Sequence, residues 1–288
     1  GSQNVAVGAF ALDANTTASN NTAFGYAALT ANTTGTQNVA VGANALDAAD
    51  TNNNTAVGFE AMTNSTASEC VAVGSRALKA HTSGARNSAL GSEAATAVTT
   101  ADDITAIGRS SLAACTTGSS NTALGSKSLM ANTTGGSNVA VGANALNANT
   151  TANNNTAVGY QSLLSNTTGN NNLAMGREAM SVNTTGDNNT AIGSQALDAN
   201  TTADNNTAVG RSALGANTTG TSNTAVGKGC LDANTTANNN TGVGQSALSG
   251  NTTGASNTAM GSGALENNTT ASNNTAFGNF ALGVNTTG

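Results

Sequence analysis

The amino-acid sequence predicts an all-β fold, a parallel β-solenoid (β-roll) of 17 coils with a 17-residue period. Three observations carry that expectation. A glycine recurs at 8, 25, 42, 58, 74, 91, 108, 125, 142, 159, 176, 193, 210, 227, 244, 261 and 278; fourteen of the sixteen intervals are 17 residues and two are 16. Each of these glycines follows a short triplet that is mostly β-branched at its first place and ends in a small–large apolar pair, as in Thr156-Ala157-Val158 and Thr207-Ala208-Val209. The 288 residues include no proline, so every backbone N–H past the first residue can serve in bonds between coils. A strict short period marks a solenoid, in which each repeat is one coil stacked on the last and the core grows along the axis.

Within a coil, the elements follow in order when the recurring glycine is taken as position 0. Position −1 is always a large apolar residue, among them Val7, Phe24, Ile107, Met175 and Phe277, and position −2 is alanine in sixteen copies, Gly242 being the exception. Position −3 is mostly β-branched. Together these read as a short strand. The invariant glycine then marks a corner that needs positive φ or close backbone approach. A second small–large pair follows at +3 and +4, such as Ala28-Leu29 and Ala196-Leu197, with Ala95 the one small occupant of the second place.

Neighbouring strand residues face opposite ways, so the small members are expected to line a narrow interior and the large ones to face outward. A file of seventeen large side chains in water would be a very long apolar patch. Burial against further copies of the chain resolves this. The alternative is a bend at the corner that turns both large residues inward.

The coil closes through a polar turn, typically Ala-Asn-Thr-Thr followed by Gly or Ala, as at Gly220, Ala237, Gly254 and Ala271. Asn, Thr and Gly supply side-chain-to-backbone turns. Asn15, Asn32, Asn132, Asn149, Asn166, Asn183, Asn200, Asn217, Asn234, Asn251, Asn268 and Asn285 each begin Asn-Thr-Thr, and Asn64 begins Asn-Ser-Thr. All thirteen fit the acceptor pattern for N-glycosylation on an expected exposed turn. A second file, as at Asn20, Asn154, Asn205 and Asn239, fits through Asn-Asn-Thr. A turn rich in Asn and Thr also generates such triplets by composition, and Asn and Thr can stack as ladders between coils. Where the asparagine is replaced, at His81, Val98 and Cys115, the next residues are still Thr82, Thr99 and Thr116. That favours a structural use of the turn.

The run Asn138-Val139-Ala140-Val141-Gly142-Ala143-Asn144-Ala145, and likewise Asn189 to Ala196, resembles the head repeats of trimeric autotransporter adhesins and related repeats of bacteriophage tail fibres. The resemblance extends over all seventeen coils. It implies a left-handed β-roll assembled as a homotrimer and displayed outside the cell or on the virion. The Asn-Thr-Thr turn lengthens the coil relative to that family's pattern. The chain opens on Gly1-Ser2-Gln3-Asn4-Val5, which matches Gly35-Thr36-Gln37-Asn38-Val39. Residues 1–288 therefore read as one repeat array without recognisable caps, expected to be a segment of a longer fibre or a unit that stacks end to end.

Composition narrows the function. Charged residues are 8% of the chain and hydrophobic residues 38%, the latter in fixed positions, which favours order over disorder. A net charge of −6 with no basic run argues against nucleic acid or an anionic membrane as partner. No apolar stretch approaches the ~18 residues of a membrane span. The three cysteines, Cys70, Cys115 and Cys230, fall in different columns and distant coils, out of reach of one another. Nothing in the coil converges on a catalytic, metal or cofactor site. The leading expectation is a non-enzymatic extracellular fibre shaft or adhesin-like spacer, with a solenoid binding carbohydrate, host matrix or ice as the alternative. For ice, Thr22, Thr55, Thr105 and Thr122 form an outward file that Val39, Val71 and Val139 interrupt. One irregular segment, between Gly42 and Gly118, holds both short intervals and a basic group, Arg76, Lys79, Arg86 and Arg109 with His81, which is the candidate ligand patch; ordinary drift in a tolerant repeat is the favoured alternative.

Overall fold

The computed structural model describes residues 1–286, and the chain divides into two compact units, Gly1–Ala143 and Asn144–Gly288. The first holds nine three-residue strands, β1 (Val5–Val7) through β9 (Val139–Val141). The second holds eight, β10 (Thr156–Val158) through β17 (Thr275–Phe277). Within each unit the strands run parallel and in register, alanine opposite alanine, as in Ala23 with Ala40 and Ala191 with Ala208. The predicted all-β parallel solenoid with its 17-residue period is therefore what the chain forms; no helix occurs among the described residues.

Strand alternation works as expected. The central Ala157 is buried between two outward-facing neighbours, half-buried Thr156 and Val158. The glycine that follows is required by contact. At Gly176 the φ is +139°, and a Cβ would lie 2.5 Å from the carbonyl oxygen of Gly193 in the next coil.

The second small–large pair departs from expectation: Leu29, Leu163 and Leu197 are fully buried, not outward. Alternation fails because this segment is not a strand. Residues at +2 and +4 adopt left-handed backbone, for example Gln161 at φ 56° with Leu163 at 49°, and Gln195 at 58° with Leu197 at 54°. That reversal swings leucine to the same side as its small neighbour. It also aims successive N–H groups at opposite neighbours: Glu178 donates back to the Tyr160 carbonyl (2.9 Å), and Leu163 donates forward to the Ala179 carbonyl (3.0 Å). Left-handed backbone costs about 1–2 kcal/mol at a non-glycine residue. Burying a leucine contributes about 1.5–3 kcal/mol, and the retained hydrogen bond adds about 1 kcal/mol. Burial wins. The corner thus turns one of the two large files inward and leaves the other outside.

Candidate functional site

The outward strand face carries a file of exposed apolar side chains in each unit. In the first unit Val7, Phe24, Leu90 and Leu124 are exposed, as are Met175, Val226, Met260 and Phe277 in the second. No charged residue occupies an outward position on any of the seventeen strands. Aromatic side chains flank the stripe at the adjoining corner: Phe10 and Tyr26 meet edge to face with centroids 5.8 Å apart. Tyr160 stands exposed beside Val158.

Inside, two files of asparagine do the work that a larger apolar core does elsewhere. At +7, Asn183 Nδ2 donates to Asn166 Oδ1 (2.8 Å) and to the Gly186 carbonyl (3.1 Å), and Asn200 Nδ2 repeats the pattern on Asn183 and Ala203. At −4, the Asn189 backbone N–H donates to Asn172 Oδ1 (2.9 Å), while Asn189 Nδ2 reaches the Ala203 carbonyl (2.8 Å). Asn183 and Asn200 each take one bond from their own turn and one from the same group in the neighbouring coil, so full satisfaction depends on the stack and the ladder is cooperative. Where the repeat lapses the deficit shows: Asn32 Oδ1 is buried without a donor, because Ala49 occupies the place of the next asparagine. Threonine adds a third file, with Thr82, Thr99 and Thr116 hydroxyls donating to the carbonyls of Thr99, Thr116 and Thr133 at 2.9–3.1 Å. The structural use expected of these threonines is realised.

The expected exposed turn is corrected at its asparagine. Asn32, Asn132, Asn149, Asn166, Asn183, Asn200, Asn217, Asn234, Asn251 and Asn268 are all completely buried. In Asn183 both amide protons already point at acceptors. A sugar at that nitrogen would displace the ladder, so these ten asparagines are not presented at the surface. Asn15 and Asn285, in the first and last coils, are half-buried. Asn64 is exposed and lies one place out of the column, because the 16-residue coil puts Ser65 at the buried position.

The basic patch is also corrected. His81 is interior, not a surface ligand group. Its Nε2 accepts from Asn87 Nδ2 (2.9 Å), whose other proton goes to the Ala101 carbonyl (2.7 Å). Nδ1–H therefore donates to Ser65 Oγ (3.0 Å). Burial lowers the His81 pKa below the ordinary imidazole value. The remaining cations are divided between two sides of the coil and mostly neutralised. Arg76 and Lys79 pair with Glu60 at 3.2 and 2.7 Å; their hydrogen bonds, that to Lys79 foremost, hold the Glu60 carboxyl below its usual range. Arg86 pairs with Asp103 at 2.7 Å. Arg109 has no ion-pair partner among the described residues.

Asp50 is a device that the sequence did not disclose. The short coil places it where other coils carry the first threonine of the turn. Its carboxylate accepts from the Thr33 hydroxyl and from the backbone N–H groups of Thr33, Thr34 and Gly35. The Thr33 hydroxyl and these amides hold its pKa well below the carboxylate norm. Asp50→Ala is expected to speed hydrogen exchange at the Thr33, Thr34 and Gly35 amides without altering exchange in the second unit. Unchanged rates at those three amides would show that the turn does not depend on the carboxylate.

The cysteines are free and buried, and burial raises their thiol pKa values, that of Cys230 up to about 12. An open depression beside Gly215 is lined by Asp198 and Asp232, the latter raised in pKa by partial burial. No group of three His, Cys, Asp or Glu side chains gathers as a metal site among the described residues. Among the described residues there is no helix long and apolar enough to cross a membrane. No family model, curated protein or solved structure matches the chain.

Proposed function

We propose that the chain is a non-enzymatic structural element, an extracellular or virion fibre shaft or adhesin-like spacer, whose coils associate with further copies of the same chain through the outward strand face. The observation that supports this reading is the charge-free file of large apolar side chains on that face. A soluble monomer rarely keeps so long an apolar stripe in water. A second copy carries the same stripe at the same coil spacing, so like files can pack along their length. The resemblance to trimeric adhesin heads and tail-fibre repeats supports a homotrimer of left-handed coils displayed outside the cell. It also supports a longer fibre of which residues 1–288 form a part.

Sedimentation equilibrium tests the association. The chain is expected to run at a multiple of its 27.7 kDa mass. Val158→Asp combined with Val209→Asp is expected to weaken association by ~10-fold or more, since each puts an unpaired charge into an apolar seam, while the circular dichroism of the coils is unchanged. A wild-type monomer at every concentration rejects the proposal. So does a variant pair that unfolds a monomer, because those valines would then hold the coil itself.

A surface-binding reading, with ice or another regular surface as ligand, draws on the second unit. There position −3 is threonine in every strand but the one beginning at Leu173, giving an outward hydroxyl file more regular than that of the first unit. Thermal hysteresis from a demonstrated monomer would favour it over the fibre.

A further inference from the structure

Burial separates the N-glycosylation acceptor triplets into two populations. The Asn-Thr-Thr asparagines of the inner coils belong to the buried ladder described above. A second population lies at position −5, where Asn20, Asn53, Asn154, Asn188, Asn205, Asn239 and Asn273 are each followed by Asn-Thr. All seven are exposed. All adopt left-handed backbone, with φ between 58° and 62°, a conformation that asparagine tolerates better than most residues. The backbone at these places is fixed: Asn188 N–H donates to the Asn170 carbonyl (3.0 Å) and Asn205 N–H to the Asp187 carbonyl (3.1 Å). Their side-chain amides make no hydrogen bond among the described residues. The middle asparagine of each triplet, such as Asn189 or Asn206, is the ladder residue at −4, and the threonine opens the strand. Each triplet therefore has a free outward amide held on a rigid corner, two residues before a hydroxyl on the outer face.

We infer that this −5 file, and not the Asn-Thr-Thr turn, is an N-glycan acceptor site. The co-reactant is a sugar activated as a diphosphate ester at its anomeric carbon, delivered by a glycosyltransferase. The asparagine Nδ2 bonds to the anomeric carbon, the bond from that carbon to the phosphate oxygen breaks, the diphosphate leaves with its electron pair, and Nδ2 gives up one proton to a base of the transferase. No ladder bond is lost, because the acceptor amide holds none.

Spacing supplies a finer expectation. Ser222 and Ser256 occupy the −5 place in the coils between Asn205, Asn239 and Asn273, so those acceptors stand two coils apart, roughly 9.6 Å at the usual strand separation. Asn188 and Asn205 are one coil apart, about 4.8 Å, less than the width of a pyranose with its hydroxyls. Those two are expected to be occupied as alternatives.

The inference is independent of how copies of the chain associate. Its test is glycopeptide mass spectrometry of the protein isolated from its source organism. The expected result is hexose-containing mass on peptides carrying Asn154, Asn239 and Asn273, with Asn188 and Asn205 modified on separate molecules. Asn166, Asn183, Asn217 and Asn234 are expected to be bare. Unmodified asparagine throughout the −5 file overturns the proposal. Sugar on the buried ladder overturns it as well, because the burial that divides the two populations would not govern acceptance.

Discussion

Gly176→Ala is expected to open the stack at its own coil, with a local destabilisation of ~3 kcal/mol or more. The added methyl would sit 2.5 Å from the Gly193 carbonyl oxygen and 2.6 Å from its carbon, both backbone atoms of the next coil. A flexible side chain could move aside; a carbonyl fixed in the intercoil ladder moves only if the coils part. The φ of +139° adds strain for any residue with a Cβ. Gly229→Ser is the control. Its φ is +61°, the nearest atom to an added Cβ is 3.9 Å away, and Ser212 and Ser246 already hold the same place in the adjoining coils. Its effect is expected to be limited to the ~1–2 kcal/mol that left-handed backbone costs a residue with a Cβ, with no steric part. Hydrogen exchange of the flanking amides distinguishes the two, and equal protection in both variants would show that the corner glycine is kept for backbone freedom alone.

Acid is expected to loosen the coils around His81 before it affects the rest of the chain. His81 is neutral in the fold, because Asn87 already directs a proton at Nε2 and a protonated ring would set donor against donor. Desolvation dominates and lowers the pKa, although the Gly84 backbone and the Asp102 charge favour the protonated form. The sign follows. The unfolded chain takes up a proton below about pH 6.5, the folded chain only at lower pH. The stability that His81 contributes is therefore complete above that value and falls as pH drops, by up to ~1.4 kcal/mol per pH unit until the folded group titrates. Histidine occurs once in the sequence, so no other side chain has an ordinary pKa in this window. Exchange at the amides of His81 and Thr82 should accelerate between pH 7 and pH 5 relative to those of Asn183 and Thr184. His81→Asn, which restores the usual ladder residue, should remove the difference. An equal pH slope in both proteins would place the acid response elsewhere.

Much of this fold is written in column patterns. Glycine spacing shows the coil, and Ala157 beside Val158 shows which strand face is inside. Leu163 was less legible. Nothing in a leucine announces left-handed backbone, so the rule that reads Ala157 and Val158 correctly, and Ala179 too, misplaces Met180, which is buried beside it. Asparagine misled for a related reason. In one coil Asn183 is a polar turn residue; only its stacking on Asn166 and Asn200 satisfies it inside, and that satisfaction is a property of neighbours. For the −4 file, seen by column, the recurrence of asparagine as at Asn172, Asn189 and Asn206, broken only at Cys70 and Ile104, was the available signal, since an exposed turn would not hold one residue type so firmly. His81 and Asp50 depend on two short coils that shift the turn by a residue, and their partners cannot be read before the coils are aligned in space.

The short coils have a consequence for folding. A chain of interchangeable coils has no means of counting: a coil that docks one repeat too far finds nearly the same partners, and the extra loop costs little because closure entropy rises slowly with length. Mis-registered assemblies of this kind are traps with almost native energy. Between Ala49 and Cys115 the +7 column runs Ala49, Ser65, His81, Val98, Cys115. These residues are not interchangeable. His81 needs a hydroxyl on one side and the Asn87 amide beside it, and a slip of one coil would set it against valine or alanine and leave a ring nitrogen unpaired in the interior. The first unit thus contains a landmark from which the identical coils on either side take their numbering, and its irregularity is what lets a repetitive sequence settle on a single alignment.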